Sequence, residues 1–255
     1  MAGHNKWSKI KHRKAVVDKR REKVWTKVGK AMIVAAKHGG PDPAFNLALR
    51  YAIDEARYAN MSREAIERAI KKGAGGGGGE DYEPVRYEGY GPGGVAVLVD
   101  ALTDNRARTV GDVRLAFTKH SGNVGLTGCV AYLFDSRGQI VVNAAEIKED
   151  RLLEAALDAG ALDVESPDDP GEDGAVFTVL TDPFQFQRIK ESIEKAGFTI
   201  VEAQIAMIPQ TKVEVRGPAA RTNIQLVDAL EELDDVQKVY TNFDIPDDEL
   251  ARLDV

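Results

Sequence analysis

Cysteine is nearly absent: Cys129 is the single one in 255 residues, which excludes an internal disulfide and fits a reducing compartment. Long apolar runs are absent too, since nothing in the chain approaches the roughly 18 consecutive apolar residues that a membrane span requires. No apolar segment follows the basic start as it would in a secretory signal, and Ser8 is the only serine in the first 60 residues, unlike an organelle transit peptide. A cytoplasmic location and no membrane partner are therefore expected.

Histidine is scarce as well. His4, His12, His38 and His120 lie far apart, with no HxxxH or HExxH spacing, and Cys129 has no sequence partner for zinc. In "TGCVAYLF" Cys129 reads as a small buried residue opening a strand. The loop "DDPGEDG" imitates a calcium loop, but Leu180 stands where the closing bidentate glutamate belongs. No GxSxG elbow is present. The expectation is a protein without metal or small-molecule cofactor, without catalytic residues, and not an enzyme.

What the sequence has in excess is segregated charge. The net charge of −7 is the sum of +10 over residues 1–80, with 18 Lys/Arg against 8 Asp/Glu, and −17 over residues 81–255. Such a split points to a basic module that meets a polyanion, carried by an acidic body that limits indiscriminate sticking.

The basic module reads as helical. Val24, Val28, Ala31, Met32 and Ala35 recur at three- and four-residue intervals, and Lys19, Lys23, Lys27, Lys30 and Lys37 recur on the opposite side. Asp42-Pro43 is a cap and first-turn pair that predicts a second helix with Phe45, Leu49, Ile53 and Ala56 as its buried stripe. Ser62 caps a third helix that buries Ala65, Ile66, Ala69 and Ile70 and closes at Gly73. "GAGGGGG" at 73–79 contains GxGxxG but follows a helix and leads into no helix, so it is a linker. "GYGPGG" at 89–94 joins two strand-like stretches and reads as a hairpin turn.

Beyond the linker, strands near 84–89 and 94–102 precede a helix running to Lys119 on Val110, Val113, Leu115 and Phe117. Residues 130–208 then spell βαββαβ, the ferredoxin-like order. The remainder, strand 212–216, helix 221–233 and strand 236–243, is too small to stand alone and should complete the sheet begun at 84–120. The fold class is thus α+β: an N-terminal three-helix domain followed by two α/β domains, the outer one ferredoxin-like and inserted in the inner one. The expected domains are 1–78, a discontinuous 79–129 with 209–246, and 130–208.

Two stretches are candidates for binding. In "GHNKWSKIKHRK" and the helix after it, Lys6, Lys9, Lys11, Arg13, Lys14, Lys19, Lys23, Lys27 and Lys30 form the expected phosphate-gripping set. Trp7 either stacks on a base or anchors this arm in the helical core. In "TDNRART", residues 103–109, Thr103, Asp104 or Asn105 caps a helix. There Asn105, Arg106 and Arg108 either sit near its N-terminus as a second phosphate contact or are simply a cap with surface arginines.

Several separated motifs in order resemble those of the YebC/PmpR family: "AGHNKWSKIKHRK", "NMSREAIERAIKKG", "YEGYGPGGVAVLV", "TDNRARTVGDVRLAFTKHSGNVG", "MIPQT" and "LDDVQKVYTNFDI". They reach from residue 2 to 245. Departures are few: Ser62 stands where the family commonly has Pro, Ala107 where a second Asn is usual, His120-Ser121 in place of a Gly pair, and Cys129 in place of Ser. The resemblance implies the same three-domain order. Its implication for function is divided. Bacterial members are described as DNA-binding transcriptional regulators. The mitochondrial relative, a translational activator of cytochrome oxidase, and some bacterial members are tied to translation, including relief of ribosomes halted at proline runs. The expected partner is therefore nucleic acid, DNA or ribosomal RNA, with the ribosome itself as the alternative target and a protein-interaction scaffold, docking through the acidic α/β domains, as a minor alternative.

Overall fold

A computed structural model describes residues 18–75, 81–144, 149–167 and 175–250, with side chains except those of 18–22 and 247. These residues fall into two compact units, 135–208 and the rest.

Three helices open the larger unit: α1 (Asp18–Gly39), α2 (Leu47–Tyr58) and α3 (Arg63–Ala74). Their shared core is Val28, Met32, Ala36, Leu49, Ala52, Ile53, Ala56, Ile66 and Ala69, residues spaced by three and four along each helix as burial of one face demands. Val24 lies outside this core and is exposed. The second helix starts later than Asp42-Pro43 predicts. Asp42 Oδ1 accepts from Ala44 N at 2.8 Å and so closes a local turn. The cap is Asn46, whose Oδ1 accepts from Leu49 N at 3.0 Å while its Nδ2 donates to Ala35 O and Gly40 O, both at 2.8 Å. Phe45 therefore precedes the helix and is 90% exposed instead of buried.

Ser62 caps α3 as its sequence position predicts, with Oγ accepting from Ala65 N at 3.3 Å. Gly73 does not end this helix, which runs on to Ala74 with Gly75 as its C-cap. Its role is close approach, since a Cβ at 73 would lie 2.4 Å from Ile33 O and 2.8 Å from Ala36 Cβ on α1. The obstructing oxygen belongs to a helix backbone and cannot rotate away. Gly73→Ala is expected to lower Tm by roughly 2–10 °C, overpacking outweighing the gain in helix propensity. A thermal melt with unchanged or higher Tm would refute this packing account.

The same unit contains an antiparallel sheet. β1 (Glu83–Gly91) and β2 (Val95–Thr103) form a hairpin in register from Glu83↔Thr103 to Gly91↔Val95. Its turn places Gly93 and Gly94 at φ of 78° and 76°, a region that favours glycine. α4 (Arg106–Lys119) follows, then β3 (Asn123–Val124) against β1. Further along the chain, after the inserted unit, come β8 (Val213–Glu214), α7 (Gly217–Glu231), β9 (Val236–Thr241), β10 (Phe243–Asp244) and α8 (Asp247–Leu250). β9 pairs with β2, giving the order β3-β1-β2-β9. The returning chain thus completes the sheet through β9 only. At Asn242 the side-chain Oδ1 accepts from Ala96 N at 2.8 Å. Beyond that point β10 runs parallel to β8, in a separate two-stranded sheet. α4 buries Thr109, Val113, Ala116 and Phe117; Leu115, two residues and about 200° from Val113, is 52% exposed.

The smaller unit is the ferredoxin-like one. β4 (Phe134–Asn143), α5 (Glu149–Asp158), β5 (Asp163–Glu165), β6 (Val176–Thr181), α6 (Phe186–Lys195) and β7 (Ile200–Pro209) make a sheet of order β5-β6-β4-β7. Ile140, Leu152, Phe177, Phe186, Ile189 and Ile193 are its fully buried centre. Residues 131–133 form a 3-10 turn, so the strand opens at Phe134 and not at Val130.

Candidate nucleic-acid interface

Of the predicted phosphate-gripping set, Lys6, Trp7, Lys9, Lys11, Arg13 and Lys14, and the side chain of Lys19, lie outside the described residues. Lys23, Lys27 and Lys30 are described, and they do not form an open face. All three converge on the C-terminal end of α7 and the turn after it. Lys23 Nζ donates to Glu232 O at 3.2 Å and pairs with the Glu232 carboxylate. Lys27 Nζ donates to Glu231 O at 2.6 Å. Lys30 Nζ donates to Asp234 O at 3.0 Å and to Asp235 Oδ1 at 3.2 Å. The last carbonyls of a helix have no partner within it and carry the negative end of its dipole, so ammonium groups are the natural caps. In this structure these three lysines dock α1 onto the sheet domain.

Lys30 leads to a buried polar hub. Asp235, 7% exposed, accepts from Arg108 Nη2 at 2.7 Å and Thr109 Oγ1 at 2.8 Å, with Thr103 Oγ1 at 3.3 Å. Burial pushes its carboxyl upward, but the hydrogen bonds from Arg108, Thr109 and Lys30 outweigh this and hold it below the ordinary carboxylate value. Arg108 is shared with Asp104 at 2.7 Å, and its guanidinium is held further protonated by Asp235 and Asp104. Arg106 forms a two-pronged pair with Glu83, one bond being 2.7 Å from Nη2 to Oε2. Asn105 is the N-cap of α4, its Oδ1 accepting from Arg108 N at 3.1 Å. "TDNRART" is thus a capping station whose arginines already hold carboxylates of the same chain. The capping account describes its geometry.

A second buried carboxylate has no counterpart in the sequence reading. Glu88, 2% exposed on β1, accepts from Gly128 N at 2.7 Å and from Val130 N and Ala131 N at 2.8 Å each. Burial pushes its carboxyl up, and the three N–H groups together with Arg86 bring it below the ordinary value. Tyr90 Oη donates to Cys129 O at 2.8 Å in the same loop. Cys129 is half-buried there and does not open a strand; burial, then the Glu88 charge, pushes its thiol up. The loop so held presents Leu126 and Tyr132 as exposed side chains. No letter in the sequence marks this arrangement, because the partners of Glu88 are main-chain N–H groups some forty residues away.

Among the described residues no group of three or more His, Cys, Asp or Glu is arranged to hold a metal ion, and no described helix is long and apolar enough to cross a membrane.

Comparison with known proteins covers almost the whole chain. Residues 5–76 match the TACO1/YebC protein N-terminal domain and residues 82–243 the TACO1/YebC second and third domain. A protein of Citrifermentans bemidjiense, named a probable transcriptional regulatory protein, is 51% identical over 253 residues, 99% of this chain and 100% of the relative. A protein of the same name from Aquifex aeolicus is 51% identical over 254 residues, again 99% and 100%. The crystal structure of a conserved hypothetical protein from Aquifex aeolicus superposes with a TM-score of 0.85 at 50% identity, covering 95% of this chain and 98% of that one. With both sequence regions matched and half of all positions identical to full-length relatives, the chain belongs to the TACO1/YebC family.

Proposed function

We propose that the chain is a non-enzymatic regulator of gene expression that binds nucleic acid through its basic N-terminal segment, with duplex DNA as the first target. The observation that carries this reading is charge left over once the docking lysines are assigned: residues 6–21 hold eight Lys/Arg and one Asp. A run of that density gains its affinity by releasing counterions from a phosphate backbone. The names of its relatives, probable transcriptional regulatory proteins, support a role in transcription, whose template is DNA. Ribosomal RNA is the second reading, and one observation favours it. The described lysines of α1 are turned to the protein's own oxygens, so in this arrangement α1 does not offer them as a groove-reading face, and backbone and shape recognition suits structured RNA.

Five phosphate contacts by Lys6, Lys9, Lys11, Arg13 and Lys14 predict a log–log slope of duplex affinity against salt of about −4 to −5. Exchanging all five for Gln is expected to make the slope markedly shallower in a fluorescence-anisotropy titration. A flat response from the unaltered protein would sink the reading. Crosslinking in cells, with sequencing of the attached DNA and RNA, separates the two targets by whether promoter or ribosomal RNA fragments are recovered.

A further inference from the structure

The contact between the helical domain and the sheet domain is rich in ion pairs. Besides Lys23, Lys27 and Lys30 on the 231–235 corner, Lys37 pairs with Asp81, and Lys238 of β9 pairs with Glu55 of α2 at 3.3 Å. The buried apolar residues of α1, Val28, Met32 and Ala36, belong to the three-helix core. Several of these charges are well exposed, with Lys23 and Lys37 at about two-fifths, so dissolved salt weakens the contact. The corner itself imitates a short stretch of nucleic-acid backbone. Over residues 231–235 it offers three main-chain oxygens and two carboxylates, spaced to meet ammonium groups at three successive turns of one helix. A phosphate diester carries a full charge where the helix-end carbonyl that Lys27 meets carries a partial one, and at Lys23 it competes with a carboxylate that is 63% exposed and therefore weakly held.

We propose that the 231–235 corner is an internal competitor for nucleic acid: phosphates displace it from Lys23, Lys27 and Lys30, and binding thereby undocks α1 from the sheet domain and recruits these lysines to the ligand. The inference rests on the nucleic-acid reading above and adds to it a closed and an open state. The affinity of the closed protein is reduced by the fraction of molecules latched, so weakening the latch tightens binding.

The test uses the full chain labelled with a donor and acceptor dye at F45C on the helical domain and R114C on α4, both exposed positions, with C129S removing the only native thiol. Energy transfer is expected to fall on adding a mixed-sequence duplex DNA of about 20 base pairs at low salt, and to fall without DNA as NaCl is raised to several times the physiological level. K23Q/K27Q/K30Q is expected to start low and respond to neither. Binding by E232Q, which removes the carboxylate that holds Lys23, should be about two- to threefold tighter than by E154Q, which removes one charge from an exposed site in the ferredoxin-like unit. DNA binding without any change in transfer overturns the latch and leaves the nucleic-acid reading standing. Equal affinities for the two neutralised variants overturn the competition. Absence of binding to DNA and to a ribosomal RNA hairpin alike overturns both readings together.

Discussion

Glu88→Ala is expected to destabilise the protein by roughly 3–5 kcal/mol, the cost of leaving three main-chain N–H groups without their charged acceptor. The side chain is 2% exposed, so water does not readily take its place. Glu88→Gln sharpens the argument because it keeps the shape. One oxygen accepts from Gly128 N and the other from both Val130 N and Ala131 N, whereas a glutamine places an NH2 group against one of these donors. Its expected cost is roughly 2–3 kcal/mol by urea denaturation. Hydrogen exchange reports the same event locally: the Gly128, Val130 and Ala131 amides should be slow in the unaltered protein and fast in both variants. The pH dependence has a definite sign. The carboxyl of Glu88 is held below its ordinary value of 4.5 in the folded state, so its contribution is fully present above that value and is lost as the pH falls through the folded one. The stability gap between the protein and Glu88→Gln should therefore narrow in acid. A gap that stays constant well below 4.5 would show that the charge on Glu88 does not hold the loop.

Much of the architecture was legible because its signals are local. Ser62 followed by an apolar stripe, the Gly93-Gly94 turn between two alternating runs, and the βαββαβ order of the ferredoxin-like unit each depend on residues within a few positions of one another. The second helix shows where local signals compete. Asp42-Pro43 and Asn46 are both legitimate starts, and what selects Asn46 is contact with Ala35 O, eleven residues back on another helix. The docking of the α1 lysines was illegible for a different reason. A lysine every third or fourth position reads as a solvated or ligand-facing stripe, and the acceptors that claim Lys23, Lys27 and Lys30 lie more than 200 residues away. Several of those acceptors are backbone carbonyls, which every residue has and no letter distinguishes. The acidic bulk that seemed only to limit stray adhesion supplies the carboxylates of that docking surface.

Asp235 shows how far one such carboxylate reaches, and Asp235→Asn is expected to cost roughly 2–4 kcal/mol. That range lies below the penalty for a fully enclosed ion pair because its partner Arg108 is about half exposed and keeps Asp104. Asparagine preserves the volume but offers Lys30 and Arg108 no charge, and it turns an NH2 group toward donors on one side of the hub. Lys30 sits at the other end of the same contact, 14% exposed, and also donates to Asp234 O. Lys30→Met therefore removes less: Asp235 retains Arg108, Thr109 and Thr103. The two substitutions share one hydrogen bond, so their effects should not add. A double-mutant cycle by urea denaturation is expected to give a coupling of about 1 kcal/mol, whereas independent sites would give close to zero. Additive costs would mean that Lys30 docks on the main-chain oxygen alone. A loss within about 0.5 kcal/mol for Asp235→Asn would place the residue among ordinary surface carboxylates. That outcome would remove the hub as the link between the helical domain, the cap of α4 and the end of α7.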